Sequence, residues 1–159
     1  MAGFAEWLHE TALSQTIQKV EWIVPLVQSV HIVMIGIVFV SSLSICLRVL
    51  GKSGMDQDFD AVWRRFTPWM RGALVVLLLT GIVLVIGEPV REFGATSFWL
   101  KMGLIGVAGM LNARLGRAPQ APAARGRAIA LICVWCAIIF LGRAIAYDVE
   151  VWQSLSLSG

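Results

Sequence analysis

The chain has 159 residues, of which 58% are hydrophobic and 14% are charged, and its mean hydropathy is +0.78. An ordinary soluble domain carries about 25% charged residues, so this composition excludes a typical soluble enzyme. It indicates a single membrane domain over residues 1–159. The net charge of +3 is modest, and its distribution fits membrane topology better than nucleic-acid binding.

The first predicted element is an amphipathic helix over residues 2–19, which we expect to lie on the membrane surface. Its apolar residues recur at helical spacing and are Phe4, Trp7, Leu8, Leu13 and Ile17. Four apolar segments follow, and a helix needs about 20 such residues to cross a bilayer. We therefore expect an all-α, integral membrane four-helix bundle with spans at about residues 22–50, 70–87, 98–115 and 127–147.

Two predicted loops are rich in basic residues. The loop after the first span contains Arg48, Lys52, Arg64, Arg65 and Arg71, and the loop after the third contains Arg114, Arg117, Arg125 and Arg127. Both loops lie on one side of a four-span protein, and the positive-inside rule assigns that side to the cytoplasm. The expectation is a multi-pass protein of the bacterial inner membrane with both termini on the periplasmic side.

His31 is the most informative residue, because it lies inside the first predicted span. No Asp, Glu, Lys or Arg occurs between Glu21 and Arg48. An ionisable side chain within such a segment is costly and usually has a partner or a function. A neutral imidazole in apolar surroundings is a suitable ligand for haem iron. The alternatives are a hydrogen bond between helices, to a carbonyl or a hydroxyl, and another metal.

Three further polar groups fall at the same predicted outer side of the membrane. Lys101 opens the third span, Arg143 lies one turn from the end of the fourth, and Tyr147 follows one turn later. No acidic residue lies at that depth within the spans, so these cations favour an external anion such as the haem propionates. The alternative is that Lys101 and Arg143 extend to lipid headgroups. We predict that His31, Lys101, Arg143 and Tyr147 bind the cofactor and that His31 binds the metal.

The sequence does not decide which residue is the second axial ligand of such a haem. The candidates are Lys101, Met102 and Tyr147, with His9 a remote one and an open coordination position as the alternative. The three cysteines, Cys46, Cys133 and Cys136, fall inside spans and are expected to be free, buried thiols. The CxxC spacing of the last two leaves copper binding as a further alternative.

Several short motifs resemble a widespread bacterial family of small, uncharacterised four-span membrane proteins. These motifs are Trp22-x-x-Pro25 followed by His31, Leu47-Arg48-x-Leu50-Gly51, Pro68-Trp69, Phe98-x-x-Lys101 with Asn112, and Gly142-Arg143-x-x-Ala146-Tyr147. The similarity extends from about Phe4 to Tyr147. It implies a four-span fold but no particular activity.

A more distant resemblance is to HemJ, the haem-containing protoporphyrinogen oxidase family, and to the CopD family of copper-resistance membrane proteins. A His in the first span and a Lys opening a later span are similar to HemJ. This resemblance implies that His31 is the haem ligand and Lys101 the matching lysine. The sequence around His31 departs from the HemJ pattern, so the resemblance supports haem binding more than oxidase activity.

Taken together, these observations predict a membrane-embedded haem b protein that transfers single electrons near the outer face of the membrane. Its partners would be the lipid bilayer and a quinone or a redox protein, with a homo-oligomer as a further expectation and no nucleic acid. Three alternatives remain: a HemJ-like tetrapyrrole oxidase, a non-redox anchor or assembly subunit, and a copper-handling protein.

Overall fold

A computed structural model describes residues 2–144 of the chain, and this part is all-α as predicted. The helices of the described range are α1 (Ala2–Glu10), α2 (Ala12–Lys19), α3 (Ile23–Val49), α4 (Phe59–Gly87), α5 (Pro89–Gly94), α6 (Thr96–Arg117) and α7 (Ala124–Ala144). The four long helices α3, α4, α6 and α7 correspond to the four predicted spans. Their ends agree with the prediction to within three residues where the structure describes them, except at the start of α4.

Three of the described helices are long and apolar enough to cross a bilayer: α3, α4 and residues Ala124–Arg143 of α7. This is the pattern of a multi-pass membrane protein. The prediction of four spans was wrong in its count, because α6 does not meet the same criterion. Lys101, Asn112 and Arg114 lie within its 22 residues, and these polar and charged side chains lower the mean hydropathy of α6 below that of the other long helices.

The long helices pack around α3 and α7. Helix α3 packs against α4 and α7, and α6 packs against α7. The core between them contains Val38 and Ile45 of α3, Leu115 of α6 and Leu131 of α7, all fully buried. Helix α6 approaches α4 at the end where both basic segments lie, because the indole of Trp63 packs directly on Gly116. Because lipid is as apolar as these side chains, their close van der Waals packing holds the bundle together in a bilayer.

Helix α4 begins at Phe59, eleven residues before the predicted start of the second span at Met70 (70 − 59). Asp58 occupies the N-cap position and Asp60 lies in the first turn, where carboxylates complement the helix dipole. Pro68 therefore lies inside the helix. Pro25 lies in the first turn of α3, as predicted, and Pro119 and Pro122 lie in the linker between α6 and α7.

The predicted amphipathic helix over residues 2–19 is two helices, α1 and α2. Thr11 separates them, because its hydroxyl donates to the Leu8 carbonyl at 2.6 Å and accepts from the Ser14 amide at 3.4 Å. Such local bonds favour a helix N-cap over a helix interior. Helix α1 packs against α5, where the rings of Phe4 and Phe93 have centroids 6.0 Å apart. Trp7 remains largely exposed, as an interfacial side chain would be.

Candidate functional site

His31 lies in the third turn of α3 and faces α4. The side chain is half-buried, and its Nδ1 atom lies 2.7 Å from Oγ1 of Thr80, a residue 49 positions later in the chain. Gly81, the next residue of α4, faces the same ring, and a Cβ atom built there would lie 3.6 Å from Cε1 of His31. The imidazole thus faces α4, joined to it by one hydrogen bond to Thr80 and with Gly81 beside the ring.

The hydrogen bonds of Thr80 determine which nitrogen of His31 carries the proton. Oγ1 of Thr80 lies 2.8 Å from the Val76 carbonyl and 3.2 Å from the Leu77 carbonyl. A carbonyl only accepts, so the single hydroxyl proton of Thr80 is donated to the helix backbone. His31 is then the donor at Nδ1. Its Nε2 atom is left with a lone pair and makes no hydrogen bond within the described residues.

Lys101 lies in the second turn of α6, close enough to His31 for an electrostatic interaction between them. Its side chain is half-buried, and its Nζ atom lies 5.5 Å from the centroid of the Phe98 ring. The structure therefore brings two of the four predicted site residues into one region. It also places Glu92 of α5 near Lys101; Glu92 lies between the predicted spans, so the expectation that no acidic residue lies within them at this depth still holds.

Glu92 is not held by Lys101 alone. Arg91 Nη2 lies 3.8 Å from Glu92 Oε1, and Arg91 Nη1 lies 2.6 Å from Glu88 Oε2. Both pairs involve partly exposed groups of α5 and its N-cap, where ion pairs contribute little to stability. Lys101 thus shares its carboxylate neighbour with an arginine.

The other two predicted site residues lie at or beyond the end of the described chain. Arg143 is exposed in the last turn of α7, at the same end of the bundle as α5. Tyr147 lies outside the described residues. Its predicted role as a cofactor contact therefore stays a prediction.

The other two candidates for the second axial ligand, His9 and Met102, lie on different helices from His31. His9 is exposed on α1, with its Nδ1 atom 3.1 Å from Nε2 of Gln18, and Met102 is largely exposed on α6. Within residues 2–144, no group of three His, Cys, Asp or Glu side chains could hold a metal ion. The cysteines are free, as predicted, and Cys46 is buried; the predicted burial was wrong for Cys133 and Cys136, which are exposed because they lie on a face of α7 that no other helix of the described range covers.

Sequence reasoning missed Thr80 and Gly81 as partners of His31. Thr80 is the one hydroxyl residue in the apolar stretch from Gly72 to Gly87, and a polar group in such a segment usually has an interhelical partner. Thr80, as the polar exception in an apolar segment, could therefore have been predicted to have a partner on another helix.

Comparisons with protein-family models, with curated proteins and with solved structures find no match to this chain.

Proposed function

We propose that the protein binds haem b between its helices and transfers single electrons in the membrane. His31 is the iron ligand of this proposal, and a quinone or a redox protein is the electron partner. Haem b, when bound, supplies a one-electron redox couple whose potential depends on the axial ligand, the nearby charges and the burial of the site.

The observation that carries the proposal is the hydrogen bond from His31 Nδ1 to Thr80. Metal-ligating histidines almost always donate their other ring N–H to a nearby acceptor, which sets the tautomer and the orientation of the ring. The chain from His31 through Thr80 to the Val76 carbonyl has this arrangement. It leaves Nε2 as the ligating atom.

The surroundings of His31 support haem more than a bare metal ion. A single imidazole retains iron when a macrocycle supplies the four in-plane ligands. In the described part of the chain α4 and α6 do not pack against each other along their length. A flat macrocycle inserted here would have its iron at His31, while Lys101 and Arg143 would neutralise its propionates.

The orientation of the protein follows from its basic segments. The contact between Trp63 and Gly116 puts the N-terminal part of α4 and the C-terminal part of α6 at one end of the bundle. Arg64, Arg65, Arg114 and Arg117 all belong to this end. By the positive-inside rule it faces the cytoplasm of a bacterium, so α1, α5 and the proposed haem site face the periplasm.

The test is the visible spectrum of the protein purified from bacterial membranes, together with extraction and quantification of its haem. We expect a Soret band in the wild type, its loss in His31→Ala and its retention in His9→Ala. His9→Ala is the matched control, because His9 is the only other histidine in the sequence. His31→Gly with added imidazole separates ligation from folding, since imidazole in the vacated space restores the band only when the variant is folded.

A colourless wild type, or a Soret band unchanged in His31→Ala, would contradict the proposal. A colourless protein that co-purifies with a larger complex would favour the second candidate, a non-redox membrane subunit. The same hydrogen bond between His31 and Thr80 favours that candidate, because it joins α3 to α4 without any cofactor.

A further inference from the structure

A groove with a volume of about 490 Å³ lies between α3 and α4, away from His31. Helix α3 contributes Val33, Gly36 and Val40 to its walls, and α4 contributes Phe66 and Trp69. These side chains are apolar, so the groove offers no hydrogen-bonding partners along most of its length. Because seven residues separate Val33 from Val40, it extends roughly 10 Å along α3.

The groove opens to the outside of the bundle. The exposed fractions of Val33, Val40 and Trp69 are 58%, 56% and 68%. Gly36 faces open space, because a Cβ atom built there would have no neighbour within 4 Å. In a protein that crosses a bilayer, such an apolar groove on the outer surface of two spanning helices is in contact with lipid acyl chains.

One end of the groove is polar and positively charged. Arg65 and the hydroxyl residue Ser41 line it there, at the end nearer to the loop that joins α3 to α4. Within residues 2–144, Arg65 makes no ion pair, and its guanidinium carbon lies 5.9 Å from the centroid of the Phe66 ring. The acidic residues Asp58 and Asp60 precede Arg65 in the chain but do not line the groove. The groove therefore combines an apolar channel with a cation at its end.

We propose that this groove is a binding site for an anionic phospholipid. One acyl chain lies along Val33, Gly36 and Val40, and the phosphate is bound by Arg65. Trp69 lies beside the lipid near its headgroup, the level at which tryptophan is enriched in membrane proteins. An anionic lipid is favoured over a zwitterionic one because the guanidinium of Arg65 in the groove wall attracts a headgroup that has no cation of its own to repel it. This proposal is independent of haem.

The experiment uses the full-length protein in phosphatidylcholine vesicles that contain a small fraction of lipid with brominated acyl chains. Bromine quenches nearby tryptophan fluorescence, so quenching by brominated phosphatidylglycerol is compared with quenching by brominated phosphatidylcholine. We expect stronger quenching by the anionic lipid in the wild type. This excess should disappear in Trp69→Phe, because Trp69 is the only tryptophan in the groove wall.

Two variants alter the site and two matched controls do not. Arg65→Gln should lower the preference for the anionic lipid about fivefold, since one basic residue near the surface contributes about that factor. Gly36→Leu should abolish the excess quenching by filling the channel. Arg64→Gln removes the neighbouring charge, and Gly103→Leu adds the same side chain on an exposed part of α6 where a Cβ has no neighbour within 4 Å. Both controls should keep the excess.

Three outcomes would overturn the proposal: equal quenching by the two lipids in the wild type, an excess that survives in Arg65→Gln and Gly36→Leu, and an equal loss in Arg64→Gln. The last would show a general attraction of anionic lipid to the basic end of the bundle. Circular dichroism and the elution profile of each variant verify that it is folded, and both substituted glycines lie on exposed helix surface.

Discussion

Removal of the Thr80 hydroxyl tests whether the bond to His31 holds α3 and α4 together. Thr80→Val keeps the size and shape of the side chain but removes the acceptor that lies 2.7 Å from His31 Nδ1. The Val76 carbonyl loses only its extra side-chain donor. The change is therefore confined to the imidazole N–H, which is left without a partner in a half-buried position.

The expected magnitude follows from the two consequences of the change. Side-chain hydrogen bonds between membrane helices contribute about 0.6 kcal/mol on average and about 1.7 kcal/mol at most. Leaving a buried donor unpaired costs about 1–3 kcal/mol, and half-burial of His31 places this value at the lower end. We expect Thr80→Val to lower the free energy of unfolding by about 1–1.5 kcal/mol.

The assay is a double-mutant cycle with His31→Leu, in which unfolding in detergent is followed by circular dichroism. In the His31→Leu background the N–H is absent, so Thr80→Val should then have almost no effect. The coupling free energy should be about 1 kcal/mol. Additive effects, with a coupling below roughly 0.4 kcal/mol, would refute the assignment of this hydrogen bond and of the proton on Nδ1.

Three glycine substitutions test other contacts by the same unfolding assay. Gly81→Ala should be tolerated, because its Cβ would lie 3.6 Å from His31 Cε1. Gly81→Leu should displace the ring and, if haem is bound, lower haem retention. Equal behaviour of the two variants would contradict this contact. Gly116→Ala should lower the free energy of unfolding by about 1–3 kcal/mol, because the new methyl group overlaps the Trp63 indole. Adding Trp63→Leu to this variant should recover part of the loss. Full stability of Gly116→Ala would contradict the packing of Trp63 on Gly116. Gly51→Ala should lower the free energy of unfolding by about 1–2 kcal/mol, because Gly51 has a φ of +70° after the end of α3. An unchanged unfolding midpoint would show that the loop does not need this conformation.

The order and approximate bounds of the long helices could be predicted from the sequence, because hydropathy and helical period are local properties. The linker at Pro119 and Pro122 was predictable for the same reason. The sequence also marked His31 as a polar exception in an apolar segment, which is sufficient to choose it as the centre of a candidate site. It did not reveal what His31 contacts.

Tertiary packing decided the rest. Thr80 is 49 residues from His31 in the chain, and the register that joins them depends on the close approach of α3 to the backbone at Gly81. Glu92 comes near Lys101 because α5 turns back against α1. Side-chain shape sets such contacts between helices, and a one-dimensional pattern of apolar and polar residues contains no information on which faces of distant helices meet. The sequence by itself therefore determined the helices and the exceptional imidazole, and only the folded chain decided its partners.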